Sequence, residues 1–142
     1  MKVAINWVAN EFAAQQTLEQ VRASGGDGAT YRADVASEPE VGKMVTAVES
    51  DLGPIDMLVT SAGIMEAGGY EHLDLETFRQ VMRVNVEGTF LPVMAVKDGM
   101  IARGRGSIVC ISSIAGLRSR PRIIAYSTPK AAAIGFVRTC AG

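Results

Sequence analysis

Apolar residues along the chain follow two alternating patterns: short runs rich in β-branched residues, and longer stretches with helical spacing. The short runs are typical of strands covered on both faces, and each longer stretch carries one apolar stripe typical of a helix. Runs and stretches alternate, which predicts the element order β-α-β-α-β-α-β-α. The predicted strands are residues 3–8, 29–34, 55–59 and 107–112.

Short polar residues mark the starts of the predicted helices. Asp74 can cap the long third helix, and Ser37 with Glu40 has the spacing of a capping box that begins the second. Inside the third helix, Gly88 and Pro92 should loosen or bend the backbone, because glycine is flexible and proline lacks an N–H donor. These signals support separate helices between the predicted strands.

Strands separated by helices must pair in parallel, because each crossover returns the chain to the same end of the sheet. The sequence therefore predicts an α/β fold in a single domain over residues 1–142. In such sheets ligands bind beyond the carboxyl ends of the strands. This rule selects Asp34, residues 60–63 and the segment from Ser112 onward as the place to look for a site.

Composition narrows the function classes. The 142 residues carry 14 basic and 15 acidic side chains for a net charge of −1, and this balance argues against nucleic-acid binding. No apolar window is long enough to span a bilayer, so we expect a cytoplasmic protein without a membrane partner. Cys110, Cys140 and His72 lack the spacing of metal ligands, so no metal site is expected.

Three residues near the last predicted strand and helix could carry chemistry. Tyr126 and Lys130 are four residues apart, which places them one helical turn apart on the same face. A lysine charge there favours the phenolate form of a tyrosine, although this spacing also arises by chance. Ser113 follows a predicted strand, where its hydroxyl could donate to a substrate oxygen or simply satisfy a turn.

Five motifs together resemble the short-chain dehydrogenase/reductase family in order and in spacing. The resemblance covers practically the whole chain and implies a Rossmann-like doubly wound parallel sheet, with hydride transfer between NAD(P)(H) and a carbonyl or alcohol substrate. The opening residues are also similar to those of 3-oxoacyl-thioester reductases and glucose dehydrogenases. The five motifs are Asp34-Val35, Thr60-Ser61-Ala62-Gly63, Val84–Gly88, Ser113 and Tyr126-x-x-x-Lys130.

The resemblance implies four catalytic residues. Tyr126 would exchange a proton with the substrate oxygen, and Lys130 would support this exchange while holding the nicotinamide ribose. Ser113 would orient the substrate oxygen. Asn85 resembles the family's helix asparagine, which holds a water linking the lysine to a proton relay; a polar residue satisfying a helix kink is the alternative.

The resemblance also implies a cofactor site. Asp34 would accept a hydrogen bond from the adenine amino group, Val35 would cover the adenine face, and the backbone after the third strand would lie against the dinucleotide. The first strand ends without the acidic residue that selects NAD, which leans the choice towards NADP and leaves NAD open. The implied cofactor residues are Asn6, Trp7, Asp34, Val35, Ala62, Gly63, Tyr126 and Lys130.

The sequence departs from the family pattern at three places. Thr60 and Ser61 stand where the family has two asparagines, so a shorter hydroxyl must supply the sheet-bridging hydrogen bond. Pro129 precedes Lys130 and is harmless only where the helix has barely begun. No Gly-x-x-x-Gly-x-Gly turn precedes Val3, although that turn supplies the helix end on which a pyrophosphate rests.

The missing glycine turn implies a partial domain. The family's first strand lies between its second and fourth, so without it two strand edges would keep unpaired backbone groups. We therefore expect residues 1–142 to form an incomplete NAD(P)-binding Rossmann-like domain, without the first strand and the C-terminal strands, and to be inactive alone.

Two rival interpretations remain beside the oxidoreductase. The chain could be a noncatalytic fragment or interaction protein derived from this family. A flavodoxin-like domain shares the layer order, but it does not explain Ser113, Tyr126 and Lys130 together. For a full-length relative, the resemblance implies a small-molecule carbonyl or alcohol substrate and a homotetramer or homodimer. Its contacts would use the helices that begin near Leu75 and Tyr126.

Overall fold

The computed structural model describes residues 1–66, 69, 71–118 and 122–140, and helices and strands alternate through them as the sequence predicts. A π-helical turn over Arg83–Glu87 joins α3 to α4, and a 3-10 turn over Ile114–Gly116 follows β4. The elements are β1 (Lys2–Trp7), α1 (Glu11–Ala23), β2 (Asp27–Arg32), α2 (Glu38–Leu52), β3 (Met57–Thr60), α3 (Leu75–Met82), α4 (Gly88–Arg103), β4 (Ser107–Cys110) and α5 (Ile124–Cys140).

The four strands form two separate two-stranded sheets, and both are parallel. β1 pairs with β2, from Lys2 opposite Asp27 to Trp7 opposite Arg32. β3 pairs with β4 in the same manner over four residues. The predicted α/β class is thus confirmed. Within the described residues no ladder joins β1 to β3.

Helices α2 and α4 pack on the two sheets and build the main core with them. α2 packs on β1 and β2, α4 packs on β3, and the two helices pack on each other. Their facing residues include Val41 and Val48 of α2 and Val93, Val96 and Met100 of α4, all buried. Burying an aliphatic side chain of this size contributes about 1.5–3 kcal/mol. This layer is the main hydrophobic support of both sheets.

The expectation that the strands are covered on both faces is wrong for β3 and β4. Met57 and Val59 of β3 keep 63% and 52% of their surface exposed, while Leu58 is half-buried and Thr60 is buried. In β4, Ile108 and Val109 are also exposed. An apolar run shows that a strand suits burial, but it does not show which element provides the cover. Here α1, the helix of the opposite layer, packs on β1 and β2.

Helix ends agree with the sequence at one predicted cap and differ at the other. The Asp74 carboxylate accepts from the Thr77 N–H at 2.7 Å, which confirms this residue as the cap of α3. Ser37 occupies the cap position of α2 but makes no side-chain capping bond, so the predicted capping box is wrong. Glu40 instead accepts from the backbone N–H of Asp34 at 2.9 Å, because the preceding loop brings that donor within its reach.

The irregular part of the long helix lies earlier than predicted. The sequence places the distortion at Gly88 and Pro92, yet both residues lie in regular α4, and the widened turn spans Arg83–Glu87 just before them. Such turns occur often at functional sites, because they turn one side chain out of the regular helical register. Here the turn contains Asn85, which is 1% exposed. No helix among the described residues is long and apolar enough to cross a membrane.

Candidate active site

Lys130 and Tyr126 lie one turn apart on α5, as their spacing predicts. The Lys130 side chain is buried, and its Nζ lies 5.6 Å from the centroid of the Tyr126 ring. The same Nζ donates to the Ile111 carbonyl at 2.9 Å, just after β4 ends. The strand end therefore fixes the ammonium group, and the ammonium group lies beside the phenol.

Pro129 sits well inside α5, which begins at Ile124, so the condition under which it would be harmless is not met. Its ring nitrogen cannot supply the helical hydrogen bond that this position would give to the Ala125 carbonyl. The first turn of the helix begins with donations from the Tyr126 and Ser127 N–H groups to the Ile123 carbonyl. Lys130 nevertheless reaches both the strand end and the tyrosine ring.

Asn85 anchors the loop that follows β3. Its Oδ1 accepts from the Ile64 N–H and its Nδ2 donates to the Ile64 carbonyl, both at 2.8 Å. Gly63 packs tightly here: a Cβ on it would lie 3.1 Å from Asn85 Oδ1 and 3.8 Å from Lys130 Nζ. The side-chain amide of Asn85, in the π-helical turn, thus bonds the backbone of Ile64. Gly63, in the same loop, lies next to both Asn85 and Lys130. The water-holding role implied for Asn85 stays a prediction.

Two serines after β4 have different partners. Ser113 Oγ accepts from the Ala115 N–H at 3.1 Å and caps the short 3-10 turn. The alternative that this hydroxyl satisfies a turn is therefore correct for the bond that it accepts. As an acceptor, this hydroxyl keeps its own hydrogen to donate to a substrate oxygen. Ser112 Oγ donates to the Lys130 carbonyl at 2.8 Å. The sequence places Ser112 at the start of the candidate segment but does not reveal this bond to Lys130.

Gly116 packs tightly against the backbone of α5, next to Lys130. A Cβ on Gly116 would lie 2.7 Å from the carbonyl carbon and oxygen of Lys130. Only glycine allows this approach without displacement. Gly116 and Ser112 together hold the backbone of Lys130.

The predicted adenine-binding residues lie at the carboxyl end of β2, and their side chains have partners in the structure. One Asp34 oxygen accepts from the Ala36 N–H at 2.9 Å, and the other pairs with the Arg83 guanidinium. Val35 packs against Gly88, where an added Cβ would lie 2.7 Å from Val35 Cγ2. Arg83 is a neighbour that the sequence does not reveal, since 49 residues separate it from Asp34.

The end of β1 is open to solvent. Asn6 donates to the Ala33 carbonyl at 2.9 Å and to the Tyr31 carbonyl at 3.3 Å, so its amide tethers neighbouring backbone. The Arg32 guanidinium lies 5.9 Å from the centroid of the Trp7 ring. The sequence shows no arginine just after β1, but the parallel register places Arg32 directly opposite Trp7. Register pairing is therefore the signal that identifies this cation.

Thr60 does not replace the family's asparagine as predicted. Its Oγ1 is buried, and among the residues that the structure describes it has no hydrogen-bond partner. A threonine hydroxyl is shorter than an asparagine amide and does not bridge to the next strand here. The backbone of Thr60 still pairs with β4 through the Ile111 N–H at 2.9 Å. The expected sheet-bridging bond is thus absent from this part of the structure.

The surroundings of Lys130 suit a dinucleotide. The backbone of Ala62 and Gly63 is exposed, and Gly63 borders the lysine ammonium. The Lys130 ammonium has three N–H donors and can hold ribose hydroxyls. Gly63 has no side chain, so a flat ligand can approach its backbone closely. No cluster of three His, Cys, Asp or Glu side chains suited to a metal occurs within the described ranges.

Comparison with known proteins decides the family. The sequence model described as short chain dehydrogenase matches residues 1–142. The chain belongs to the short-chain dehydrogenase family. The family binds NAD or NADP. The 3-oxoacyl-(acyl-carrier-protein) reductase of Synechocystis sp. is 33% identical over 141 residues, which are 99% of this chain and 57% of that protein.

Solved structures of the family share the fold. A putative gluconate dehydrogenase from Agrobacterium tumefaciens superimposes with a TM-score of 0.91 at 26% identity, over 97% of this chain and 54% of that one. A gluconate 5-dehydrogenase from Burkholderia cenocepacia, solved with NADP and tartrate, gives 0.85 at 32% identity over the same shares. The Rossmann-like fold is thereby confirmed, and the chain spans about half the length of the relatives it matches.

Proposed function

We propose that this protein is an NAD(P)-dependent oxidoreductase that transfers a hydride between the nicotinamide and the carbon of a carbonyl or alcohol, with Tyr126 as proton donor and acceptor. The observation that carries the proposal is the buried Lys130 ammonium beside the Tyr126 ring. A fixed positive charge stabilises the negative charge that a phenol oxygen gains when it releases its proton. The Ile111 carbonyl holds that charge in place.

In the reductive direction the atoms and charges balance around Tyr126. The bound nicotinamide supplies two electrons and a hydrogen as hydride to the carbonyl carbon. Tyr126 gives its phenolic proton to the substrate oxygen, and solvent returns a proton to the phenolate. The Ser113 hydroxyl, whose oxygen already accepts from Ala115, donates to the same substrate oxygen and orients it. Oxidation of an alcohol runs these steps in reverse.

The cofactor is held by residues from both sheets. Lys130 binds the nicotinamide ribose beside the exposed backbone of Ala62 and Gly63, and Asp34 with Val35 receives the adenine at the end of β2. NADP is favoured over NAD because the end of β1 carries no carboxylate, and because Arg32 places a guanidinium beside Trp7. An arginine at this position attracts a ribose phosphate. The change Arg32→Gln should therefore lower the affinity for NADPH more than the affinity for NADH.

The substrate class and the assembly follow the relatives. The names of the 3-oxoacyl-(acyl-carrier-protein) reductase and the gluconate 5-dehydrogenase point to a ketone or a secondary alcohol as the substrate. Helices α3, α4 and α5 expose apolar side chains, which suits the subunit contacts of a homotetramer or homodimer. The exposed residues are Leu75, Phe90, Met94, Ile101 and Val137.

The test compares two Tyr→Phe variants, one inside the candidate active site and one outside it. In a restored full-length enzyme, Tyr126→Phe should lower turnover of carbonyl substrates by about two to four powers of ten, because it removes the proton donor. Its affinity for NADPH, measured by calorimetry, should stay nearly intact. Tyr31→Phe is the control, since that hydroxyl bonds Asp51 at 3.1 Å outside the site. Equal turnover of Tyr126→Phe and the unchanged protein would reject the assignment.

A second candidate, a noncatalytic interaction protein, is favoured by the sheet edges at β1 and β3, which have no strand partner among the residues that the structure describes. Calorimetric titration of the folded protein with NADPH and NADH separates the two functions. Binding that is lost in Lys130→Ala supports the oxidoreductase, whereas a complete lack of binding supports the interaction protein.

A further inference from the structure

Basic and acidic side chains are distributed unevenly along the chain. Residues 99–142 carry seven basic side chains and no acidic ones, whereas all 15 acidic side chains lie before residue 99. The basic part contains β4, the 3-10 turn after it and α5, and therefore also Ser113, Tyr126 and Lys130. The reacting groups of the candidate active site thus lie in a segment with a positive charge.

Three of these cations have partners within the protein. Arg105 lies 3.3 Å from a carboxylate oxygen of Asp56. Arg103 and Lys130 each donate to a backbone carbonyl, at 2.7 Å and 2.9 Å. The fold therefore uses these three charges to hold its own elements together.

Arg118 and Arg122 differ from these three, because they are exposed and make no ion pair. All 15 acidic side chains belong to the residues that the structure describes, and none of them pairs with either guanidinium. A guanidinium binds a carboxylate well, since its planar donors match both oxygens. The two side chains are therefore available to an anion from outside the chain.

Both arginines lie next to the reacting residues. Arg118 closes the turn that Ser113 caps, because its N–H donates to the Ile114 carbonyl at 3.0 Å. Arg122 stands two residues before α5 begins, and Tyr126 is in the first turn of that helix. The 3-10 turn also packs on α5. One arginine is thus attached to each of the two elements that carry the hydroxyl groups of the site.

Arg122 adopts a backbone conformation that is rare for its residue type. Its φ of 73° lies in the left-handed region, and no other non-glycine residue among the described ones has a positive φ. A Cβ is crowded in this region, so glycine is the usual residue there. Strained conformations of this kind cluster at ligand-binding positions. An arginine at this position therefore favours a binding role for its guanidinium.

Apolar side chains lie closer to the reacting groups than the arginines do. Ile114 follows Ser113 directly, and Ile124 precedes Tyr126 by two residues, whereas both arginines are further along the chain from these hydroxyl groups. Both isoleucines are exposed. A molecule that extends from the hydroxyl groups to the arginines would cover this apolar surface, and its burial would add to the affinity.

We propose that the active site takes carbonyl substrates that carry a carboxylate, separated from the carbonyl carbon by an apolar chain, and that Arg118 and Arg122 bind this carboxylate. The carbonyl oxygen lies at Ser113 and Tyr126, and the apolar chain covers the exposed isoleucines. This inference rests on the proposed oxidoreductase function, because it names the substrate class of the same site.

The first experiment titrates the protein with 5-oxohexanoate and with its methyl ester, without cofactor, and follows the arginine Nε–H signals by NMR. The ester keeps the carbonyl and the apolar chain and removes only the charge. We expect the acid to shift the signals of Arg118 and Arg122 and to bind about tenfold more tightly than the ester, because two guanidinium groups bind its carboxylate. Added salt should reduce this difference.

Three Arg→Gln variants test the same contact from the protein side. Arg118→Gln and Arg122→Gln should each lower the affinity for the acid about threefold, because each removes one of the two charges. Arg138→Gln is the matched control, since Arg138 is exposed on the same helix but lies about 18 Å beyond Tyr126 along its axis. Its affinity for the acid should not change. The comparison of acid with ester on the unchanged protein carries the test for any variant that does not fold.

Turnover separates this inference from the proposed function. The titration contains no cofactor, so its result does not depend on hydride transfer. In turnover assays, kcat/KM should be about tenfold higher for 5-oxohexanoate than for its methyl ester. Pyruvate, whose carboxylate adjoins the carbonyl carbon, should react poorly. Unchanged turnover in Tyr126→Phe would reject the proposed function alone, while the titration still decides the carboxylate site.

Three results would overturn the proposal. The first is equal binding, or equal kcat/KM, of the acid and its ester. The second is an affinity for the acid that Arg118→Gln and Arg122→Gln leave unchanged, or that Arg138→Gln lowers equally, which would indicate nonspecific attraction. The third is a shift of the Arg118 and Arg122 signals by poly-glutamate but not by 5-oxohexanoate, because the arginines would then bind an acidic protein.

Discussion

The β1–β2 half of the molecule (β1, α1, β2 and α2) and the β3–β4 half (β3, β4 and α3 to α5) hold their polar side chains in different ways. In the β3–β4 half, Asn85 and Lys130 are buried and bond backbone groups of other elements. In the β1–β2 half, Asn6 is exposed and Asp34 relies partly on an ion pair at the surface. The groups assigned to chemistry are thus fixed by the fold, whereas those assigned to cofactor choice lie where substitution costs little.

The largest difference in the free energy of unfolding is expected between two Asn→Ala variants, one in each half. Asn85→Ala should lower the free energy of unfolding by about 3 kcal/mol, because it strands both backbone groups of Ile64 and leaves a cavity. Asn6→Ala removes an amide that also bonds backbone, but in contact with water, and should cost less than about 1 kcal/mol. Urea unfolding of both variants measures the difference. Equal losses would show that burial does not distinguish the two halves.

A glycine pair tests the packing behind Lys130. Gly116→Ala should cost about 1–3 kcal/mol, since its Cβ would meet the Lys130 backbone at 2.7 Å and α5 must shift. Gly42→Ala in α2 meets nothing within 4 Å and should stabilise by about 0.5–1 kcal/mol, because alanine favours helix more than glycine does. Thermal unfolding measures both changes. A neutral Gly116→Ala would mean that α5 is not held at this point.

Thr60 is the exception to the bonded polar groups of the β3–β4 half. Thr60→Val should raise the free energy of unfolding by about 1 kcal/mol, because it replaces a buried hydroxyl that has no partner among the described residues. Thr89→Val should lower it by a similar amount, since the Thr89 hydroxyl donates to the Asn85 carbonyl at 3.0 Å. Chemical denaturation under identical conditions compares them. Two changes of the same sign would contradict the difference in hydrogen bonding.

The order of elements and the closeness of Lys130 to the Tyr126 ring were predictable from local signals. Periodicity gives the alternation of strands and helices, and the spacing of Tyr126 and Lys130 gives their common face. The Asp74 cap was predictable too, because its partner lies three residues away. Each of these features depends on residues within a few turns of one another, which is the range over which a sequence pattern carries direct information.

Features that depend on distant partners were not predictable. Three contacts join residues that are far apart in the sequence and meet only in the folded protein. They are the Arg83 ion pair with Asp34, the Ser112 bond to the Lys130 carbonyl and the contact of Gly116 with α5. The prediction of a capping box at Ser37 was wrong for the same reason, since Glu40 accepts from the backbone N–H of Asp34 instead. The prediction that β3 and β4 are covered on both faces was wrong because an apolar run does not specify which element covers it.

A smaller effect is expected at the ion pair where the two halves meet. Arg83→Gln should change the free energy of unfolding by no more than about 1 kcal/mol, because the Arg83 side chain is 51% exposed and solvent screens the pair with Asp34. The change should shrink as salt is added. Arg22→Gln is the control, since Arg22 and Asp27 are both more exposed. A large loss that persists in high salt would place Asp34 among the fixed groups.

The smallest expected effect is a pH dependence at the helix caps, where the two halves use different residues. The Thr77 backbone N–H donates to Asp74 and lowers the pKa of this carboxyl below its ordinary value of 3.8. A lowered pKa in the folded state means that the carboxylate stabilises the fold above the ordinary pKa, and that this contribution disappears as the pH falls through the lower, folded-state value. Asp74→Asn should keep the cap and remove that acid-dependent part.

The cap of α1 allows the reverse substitution. Asn10 Oδ1 accepts from the Ala13 N–H at 2.9 Å, the same geometry without a titrating group. Asn10→Asp should therefore add an acid-dependent contribution of the kind that Asp74→Asn removes, and the double variant should restore the original pH profile. Melting temperatures recorded from neutral pH downward measure all three proteins. A profile that is unchanged in both single variants would mean that the caps hold no charge-dependent part of the stability, and that the carboxylate and the amide cap these helices equally well at every pH.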